Sequence, residues 1–512
     1  MPVHRHAHRM RGSVFASKAE LDAWQRERAA AGARGRGSGV LAETSAARSI
    51  AVLPFANLSD ESEGEYFADG LVDEITSTLA GLRSLRVVSR TSTAMLKGVT
   101  KDACSIGREL GCRFLLEGSV RRAGSRLRIT AQLVLAGSDS QVWAETFDGS
   151  IAEVFAIQER IARATAEALR VRLTTEEDLL LATRPIGDVH AYECYLRARH
   201  QGWRWRKDSI DQAIQLLRNG IAIVGDNARL YAALGVAYLQ YREAGVAFDP
   251  ARLAAAESCA RKVLKLEGES AAGLKLMGWL HYARAEIQAA VHDLSAALRL
   301  EPSDPDTLLL LGNCYLISGA IAAATPLVDR LVMLDPLTPL TQCMPAWTAM
   351  ASGDFASALG PYERMFEMDA GNPMARLFYV LVLLYNGREA RAREIGEGFA
   401  ADLADTLPAH IAALLTSRSD AEAGETALPP LPHAMEVAAA ASDVLSRMLA
   451  CAYARHGDVD RAMWWLETAV ERGFINYPFL SEHDPLLSSL RREARFRGLM
   501  SVVQTRYEQF EA

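Results

Sequence analysis

The hydrophobic positions along this chain change period near its middle, and that change divides it. Ile50 to Phe55 is an apolar run of strand length, and Tyr66 to Leu82 sets Phe67, Leu71, Ile75, Leu79 and Leu82 on one helical stripe. Leu85 to Val88 reads as a strand and Ile106 to Leu110 as a short helix. Arg113 to Arg121, a turn at Ala123-Gly124, and alternation through Leu127, Ile129, Ala131 and Leu133 predict a hairpin. Gln141 to Thr146 adds a strand, and Ile151 to Leu173 a long amphipathic helix. This is a small α/β domain over residues 48–173.

Past Thr174, Thr175, Pro185 and Gly187, which mark a linker over 174–190 and hence two separable halves, the chain becomes self-similar. Gly278, Gly312 and Ala346 are spaced by 34 residues; Ala290, Ala324 and Ala358 keep the same interval, as do Ala285, Gly319, Gly353 and Gly387. Pro302 and Pro336 close their units. Two antiparallel helices that cross closely need a small residue at each contact, a turn residue between them and a stop after the second. The spacing therefore predicts helical hairpins stacked on copies of themselves.

Units fall at 271–304, 305–338, 339–372, 373–406 and 443–476. An earlier one begins near Ala191 and reaches Ala213, and another, 228–270, carries extra residues around Asp249-Pro250. The array thus covers 191–476, is interrupted at about 407–442 where Pro429, Pro430 and Pro432 break the phase as a loop or a degenerate unit, and is capped by 477–512.

The order Gly312, Tyr315, Gly319, Ala324, Val328 and Pro336 resembles the tetratricopeptide repeat (TPR) family. The resemblance implies a mainly α protein, an α-solenoid of TPR hairpins behind the small α/β domain, with a protein or peptide partner in its concave face. In that family the first helix of each unit points its positions 2, 5, 9 and 12 inward. Counted from the unit starts, the expected groove residues are Lys275, Trp279 and Tyr282, then Asp306, Asn313 and Leu316, then Leu340, Trp347 and Met350. Trp279, Asn313 and Trp347 share a column. Indoles there would supply rigid contact area and the asparagine would pair with a peptide backbone, unless both tryptophans are packed between helices.

In the first half, Ala51-Val52-Leu53-Pro54-Phe55, Phe67-Ala68-Asp69-Gly70-Leu71, Leu116-Glu117-Gly118-Ser119-Val120 and Trp143-Ala144-Glu145-Thr146-Phe147-Asp148 resemble the TolB-type amino-terminal domain that precedes TPR arrays in bacterial regulators and cyclase-linked proteins. That resemblance implies a signalling role and no catalytic residue. Asp69-Gly70 with Asp73 and Glu74 is the tempting cluster, and it reads as a solvated acidic helix face.

Ahead of it, residues 1–36 hold eight arginines and lysines against three acids, a local charge of +5. Residues 1–28 read as strand, turn, strand and a helix opened by Ser17 with Glu20 three residues on, and 29–47 as a Gly/Ala/Arg linker. This resembles the wing and last helix of excisionase-like winged helix domains, without the helix-turn-helix; Met1 would then lie inside a longer reading frame. His4, Arg5, His6, Arg9 and Arg11 would touch DNA phosphates, weakly and without sequence preference, and DNA is a partner only if a complete winged helix stands upstream. His4, His6 and His8 alternate as metal ligands would, but a basic exposed strand explains them.

Composition adds limits. With 512 residues, 50% hydrophobic and 23% charged, the chain is globular and multidomain, and its net charge of −7 argues against a nucleic-acid footprint over the whole molecule. Seven cysteines with no C-x-x-C pair, no apolar stretch of membrane-spanning length and no signal-peptide core predict a cytoplasmic protein with reduced thiols and no membrane partner. Phosphate-loop, nucleophile-elbow and zincin motifs are missing, so no enzyme, cofactor or metal site is expected. His483-Asp484 and the run Trp203 to Lys207 look chemical but fall in the cap and in a turn between helices. The resulting expectation is a non-enzymatic interaction scaffold or signalling protein. The alternatives are a transcriptional regulator lacking its helix-turn-helix and, remotely, an accessory protein of a nucleotide cyclase system.

Overall fold

The computed structural model describes residues 48–59, 64–202, 207–243, 249–399, 403–417 and 431–512, with the backbone of 4–6 and 13–15. The chain divides into two compact units, 1–47 and 48–512. In the first, His4–His6 (β1) and Ser13–Phe15 (β2) pair antiparallel, His4 opposite Phe15 and His6 opposite Ser13. Arg9, Arg11, His8 and the helix expected from Ser17 lie outside the described residues.

The second unit opens with a six-stranded sheet. Ser49–Val52 (β3) and Ala56–Asn57 (β4) lead to Gly64–Ala80 (α1), whose Phe67, Leu71, Ile75 and Leu79 are buried at 0–1% exposure. Arg86–Val87 (β5), Arg90–Ala94 (α2) and Ala103–Glu109 (α3) follow. The long strands Phe114–Ala123 (β6), Arg126–Leu135 (β7) and Ser140–Ser150 (β8) form an antiparallel meander. The order is β5-β3-β6-β7-β8, with β3 parallel to both its neighbours and β4 against β6.

A capping box between Ser150 and Glu153 opens the 3-10 turn Ile151–Glu153, which leads into Val154–Ala168 (α4). It stops earlier than the expected Leu173, because Arg170 takes φ 53°, which a helix cannot continue through. The linker expected at 174–190 is corrected as well. Thr174 and Glu177 form a second capping box that starts Thr175–Ala182 (α5), and Leu181 and Ile186 are buried in a core.

That core ignores the expected boundary between the halves. One apolar cluster runs from Ile50 through Leu116 and Phe147 into Tyr192, Leu217, Leu234 and Leu280. The α/β domain and the first hairpins are therefore packed as a single body rather than as beads on a tether.

The hairpins are Val189–Gly202 (α6) with Lys207–Val224 (α7), Ala228–Glu243 (α8) with Pro250–Glu267 (α9), Ala271–Ala283 (α10) with Ile287–Leu300 (α11), and Pro305–Ile317 (α12) with Ile321–Leu334 (α13). Pro339–Ala351 (α14) pairs with Leu359–Met368 (α15), and Pro373–Tyr385 (α16) with Glu389–Glu397 (α17). Within the expected interruption at 407–442, Leu407–Thr416 (α18) packs on α16, and His433–Ala440 (α19) follows residues 418–430, which are not described. Asp443–Arg455 (α20) and Val459–Glu471 (α21) complete the array. Beyond them come a π turn at Phe479–His483, a 3-10 segment at Pro485–Arg492 and Ala494–Glu508 (α22). No single described helix is long and apolar enough to cross a membrane.

The turn column has a backbone cause. Ala285, Gly319, Gly353 and Gly387 take φ of 66°, 79°, 88° and 66°, the left-handed geometry that ends the first helix of each unit.

At the crossing column the small residues are not equivalent. A Cβ on Gly278 would lie 2.5 Å from Leu294 Cγ, whereas on Gly312 it would meet nothing closer than 3.7 Å. Gly278→Ala should therefore destabilise by about 1–3 kcal/mol through overpacking. Gly312→Ala should be neutral or stabilising by up to about 1 kcal/mol, since alanine favours the helix. Urea denaturation of both variants checks the contrast; equal midpoints would remove Gly278 from the helix contact.

Candidate functional site

The acidic stripe of α1 and the inner face of the repeats are the two places where the sequence points to chemistry. On α1 the acids are not a solvated face. Asp73 accepts from Arg199 Nη2 at 2.7 Å and lies 3.2 Å from Arg90 Nη1; Glu74 holds Arg229 at 2.7 Å; Asp69 meets Lys97 at 2.9 Å and His200 at 3.2 Å. Arg199 and His200 sit on α6 and Arg229 on α8, so these carboxylates fasten the α/β domain to the first hairpins. Gly70 serves the same contact, since a Cβ there would be 2.6 Å from Leu196.

Burial disfavours the charged Asp69 carboxyl, but hydrogen bonds from His200 and Lys97 outweigh it and hold its pKa below the ordinary value. A depressed pKa contributes stability that is fully present above the unfolded carboxylate value near pH 4 and is lost as pH falls on through the lower folded value. The melting temperature should start to drop below about pH 5 and keep falling below about pH 4, and Asp69→Asn should flatten part of that fall in a thermal scan.

A second fastening joins α2 to the turn after α13. Ser89 N–H donates to Leu334 O at 2.7 Å. The Asp335 carboxylate accepts from the hydroxyls of Ser89, Ser92 (2.6 Å), Thr338 (2.8 Å) and Thr341 (2.8 Å). Leu337 N–H donates to Ser92 Oγ at 2.9 Å. The domain thus grips the array at its start and again in the unit at 305–338.

The nine expected groove residues fall into four groups. Leu316 and Met350 are buried, at 0% and 4% exposure, so these inward positions are core. Lys275, Tyr282 and Asn313 are half-buried and engaged within the chain. Lys275 Nζ lies 3.0 Å from Asp304 and 3.7 Å from Asp306. Tyr282 OH donates to Asp443 Oδ1 at 3.1 Å, and Asn313 Nδ2 lies 3.4 Å from that hydroxyl. Asp306 and Leu340 are exposed.

The two tryptophans are not brought together. Trp279 packs against the first core, and Trp347 stands 6.4 Å from Phe474 and 5.8 Å from Phe479, ring to ring. Residues 473–484 run past the C-terminal ends and turns of the first helices of successive repeats. Ile475 N–H donates to Ile317 O at 2.9 Å, and Asn476 Nδ2 to Leu316 O at 3.1 Å. Phe479 packs on Phe355 and Tyr385. Asp484, fully buried, accepts from Tyr385 OH at 3.0 Å and lies 3.1 Å from Arg447 Nη1, whose guanidinium covers the Phe474 and Phe479 rings at 5.3 and 5.2 Å.

Sequence reasoning missed this cluster, although its own rule contained a signal: counted from 443, positions 5 and 9 are Arg447 and Cys451, and both face Asp484. His483-Asp484 takes its place here as structure, with Asp484 also capping Leu486 N–H at 3.0 Å. Lys207 opens α7, while residues 203–206 are not described. Burial pushes the Cys112 and Cys259 thiols up to about 11 and Cys343 to about 12, so these sulfurs stay protonated and unreactive at neutral pH. No group of three potential metal ligands clusters among the described residues.

Comparison with known proteins bears on both halves. Residues 275–339 and 343–405 match the tetratricopeptide repeat family, and the hairpins from α10 to α17 are tetratricopeptide repeats. Residues 45–164, where the TolB-type resemblance was read, match the second domain of HilA/YgeH-like transcriptional regulators. A curated relative, putative adenylate cyclase 3 of Rhizobium meliloti (strain 1021), is 38% identical over 188 residues, 37% of this chain; the match spans only 32% of that relative's length. Among solved structures, a thermophilic TPR protein of Thermus thermophilus shares 16% identity over 38% of this chain and 99% of its own, with TM-score 0.32. A tetratricopeptide repeat protein of Parabacteroides merdae shares 13% over 61% and 99%, with TM-score 0.32.

Proposed function

We propose that this chain is a regulatory scaffold without catalytic activity of its own, which holds a polypeptide partner on the inner face of its tetratricopeptide array. The observation that carries the reading is the pairing of two family matches in one body: repeats over 275–405 and a regulator-type domain over 45–164, joined by a shared core. A rigid array is suited to binding, because a surface already ordered loses little entropy when a partner docks. Of the nine expected groove residues, Asp306 and Leu340, at the starts of α12 and α14, are still open to a partner. A photo-crosslinking residue at 306 or 340, introduced in the native host, should label one partner that the same residue at the exposed outer position 329 does not. Equal labelling from all three positions would overturn the reading.

A transcriptional role is the second reading, favoured by the hairpin of β1 and β2 ahead of a domain that matches a transcriptional regulator. In it His4, Arg5, His6, Arg9 and Arg11 contact phosphates, and the repeats receive the signal. Binding to duplex DNA by such a wing would weaken steeply with salt and show no sequence preference; sequence-selective binding by this chain would assign the bases to other residues. The shared 188 residues with a cyclase-named relative support, more remotely, an accessory role in a nucleotide cyclase system.

A further inference from the structure

A cavity of about 300 Å³ lies against the closing helix α22, away from the inner face of the repeats. Its floor is apolar, since Phe496 and Met500 are buried at 3% and 6% exposure. Around them stand Tyr477 beside the π turn, Arg491 at the end of the 3-10 segment and Arg497 on α22. No aspartate or glutamate lines it.

The two guanidinium groups are held in place without being neutralised. Arg491 Nη2 donates to Glu482 O at 2.6 Å and to Asp484 O at 2.9 Å, and Arg497 Nη1 donates to Arg492 O at 2.6 Å. Arg447 and Arg495, at the same end of the chain, each have a carboxylate partner, whereas Arg491 and Arg497 have none among the described residues. Arg491 Nε is buried and has no hydrogen-bond partner among them either. A buried donor without an acceptor is costly, and a guanidinium presents a planar fork that matches carboxylate or phosphate oxygens.

We infer that this cavity binds a small organic anion, its carboxylate or phosphate on Arg491 and Arg497 and its apolar body on Phe496 and Met500. The volume stands at the lower end of the range for ligand sites, which fits a single ring or a short chain and excludes a folded partner. Because the cavity is walled by Tyr477 and Ser481 on one side and by α22 on the other, an occupant ties the closing helix to the cap. The site is independent of any polypeptide held by the repeats.

Isothermal titration calorimetry on the full chain with phenyl phosphate, benzoate, inorganic phosphate and benzyl alcohol tests this. Phenyl phosphate or benzoate should bind at least about tenfold more tightly than inorganic phosphate or benzyl alcohol, since only the aromatic anions use both parts of the site. The tighter of the two identifies the oxyanion, and it should also raise the melting temperature. Arg497→Gln, at an exposed position, should weaken its binding at least about tenfold, as should Arg491→Lys, which keeps the charge and removes the fork. Arg492→Gln, whose side chain lies outside the cavity, should bind as the original protein does. If Arg491→Lys does not fold, Arg497→Gln decides alone. Absence of saturable binding up to about 10 mM of either aromatic anion, inorganic phosphate held as tightly as both, or unchanged affinity in the folded variants of Arg491 and Arg497 would overturn the inference.

Discussion

Arg447→Met should cost about 3–5 kcal/mol, because it leaves the Asp484 carboxylate buried without its cation. Asp484 has no exposed side-chain surface and Arg447 has 4%, so water cannot replace either partner. The remaining donors, Tyr385 OH, the Leu486 N–H and the weak Cys451 thiol, are too few to stabilise a full charge there. The double variant Arg447→Met with Asp484→Leu removes both charges and should recover most of the loss, as apolar replacements of buried pairs commonly do. Guanidinium denaturation of the single and double variants measures this. A single variant within about 1 kcal/mol of the original protein would mean the pair is solvated, contrary to its burial.

Asp335→Ala should have the next largest effect, about 2–4 kcal/mol, since it strands several buried hydroxyls that now converge on one carboxylate. Ser89 and Ser92 come from the α/β domain, whereas Thr338 and Thr341 come from the turn and helix at 338–341. The loss therefore falls on the second grip and spares the first, where Asp73, Glu74 and Asp69 remain paired. Differential scanning calorimetry should show the melt broadening or splitting, with the repeats beyond Ile287 losing their support while the shared core around Leu116 and Leu234 persists. One unshifted transition would show that the contact adds nothing to the coupling of the two cores.

Much of the repeat geometry was legible because it is local and recurrent. A 34-residue interval with small residues, a turn column and closing prolines encodes a hairpin whatever lies around it, and the positive φ at Ala285, Gly319, Gly353 and Gly387 is the physical form of that column. The strand and helix pattern of 48–173 was legible for the same reason, as was the strand pair 4–6 and 13–15. Two local readings went astray where competing signals were short. Pro185 and Gly187 suggested a linker, but the capping box at Thr174 and Glu177 and the burial of Leu181 and Ile186 make it a packed helix. The acids of α1 suggested a wet face because their partners, Arg199, His200 and Arg229, lie more than a hundred residues away.

What the chain encodes locally is the unit, a tetratricopeptide hairpin repeated into a mainly α array behind a small α/β domain, together with the spacing of the positions along each first helix. What those positions meet is set by packing between distant parts of the fold. Tyr385 meets Asp484 across 99 residues and Ser89 meets Asp335 across 246, separations over which periodicity carries no information. Such contacts depend on how far each hairpin rotates against the next, a small angle summed over many units. That sum brings residues 473–484 onto Ile317, Phe355 and Tyr385 and turns Trp347 toward Phe479.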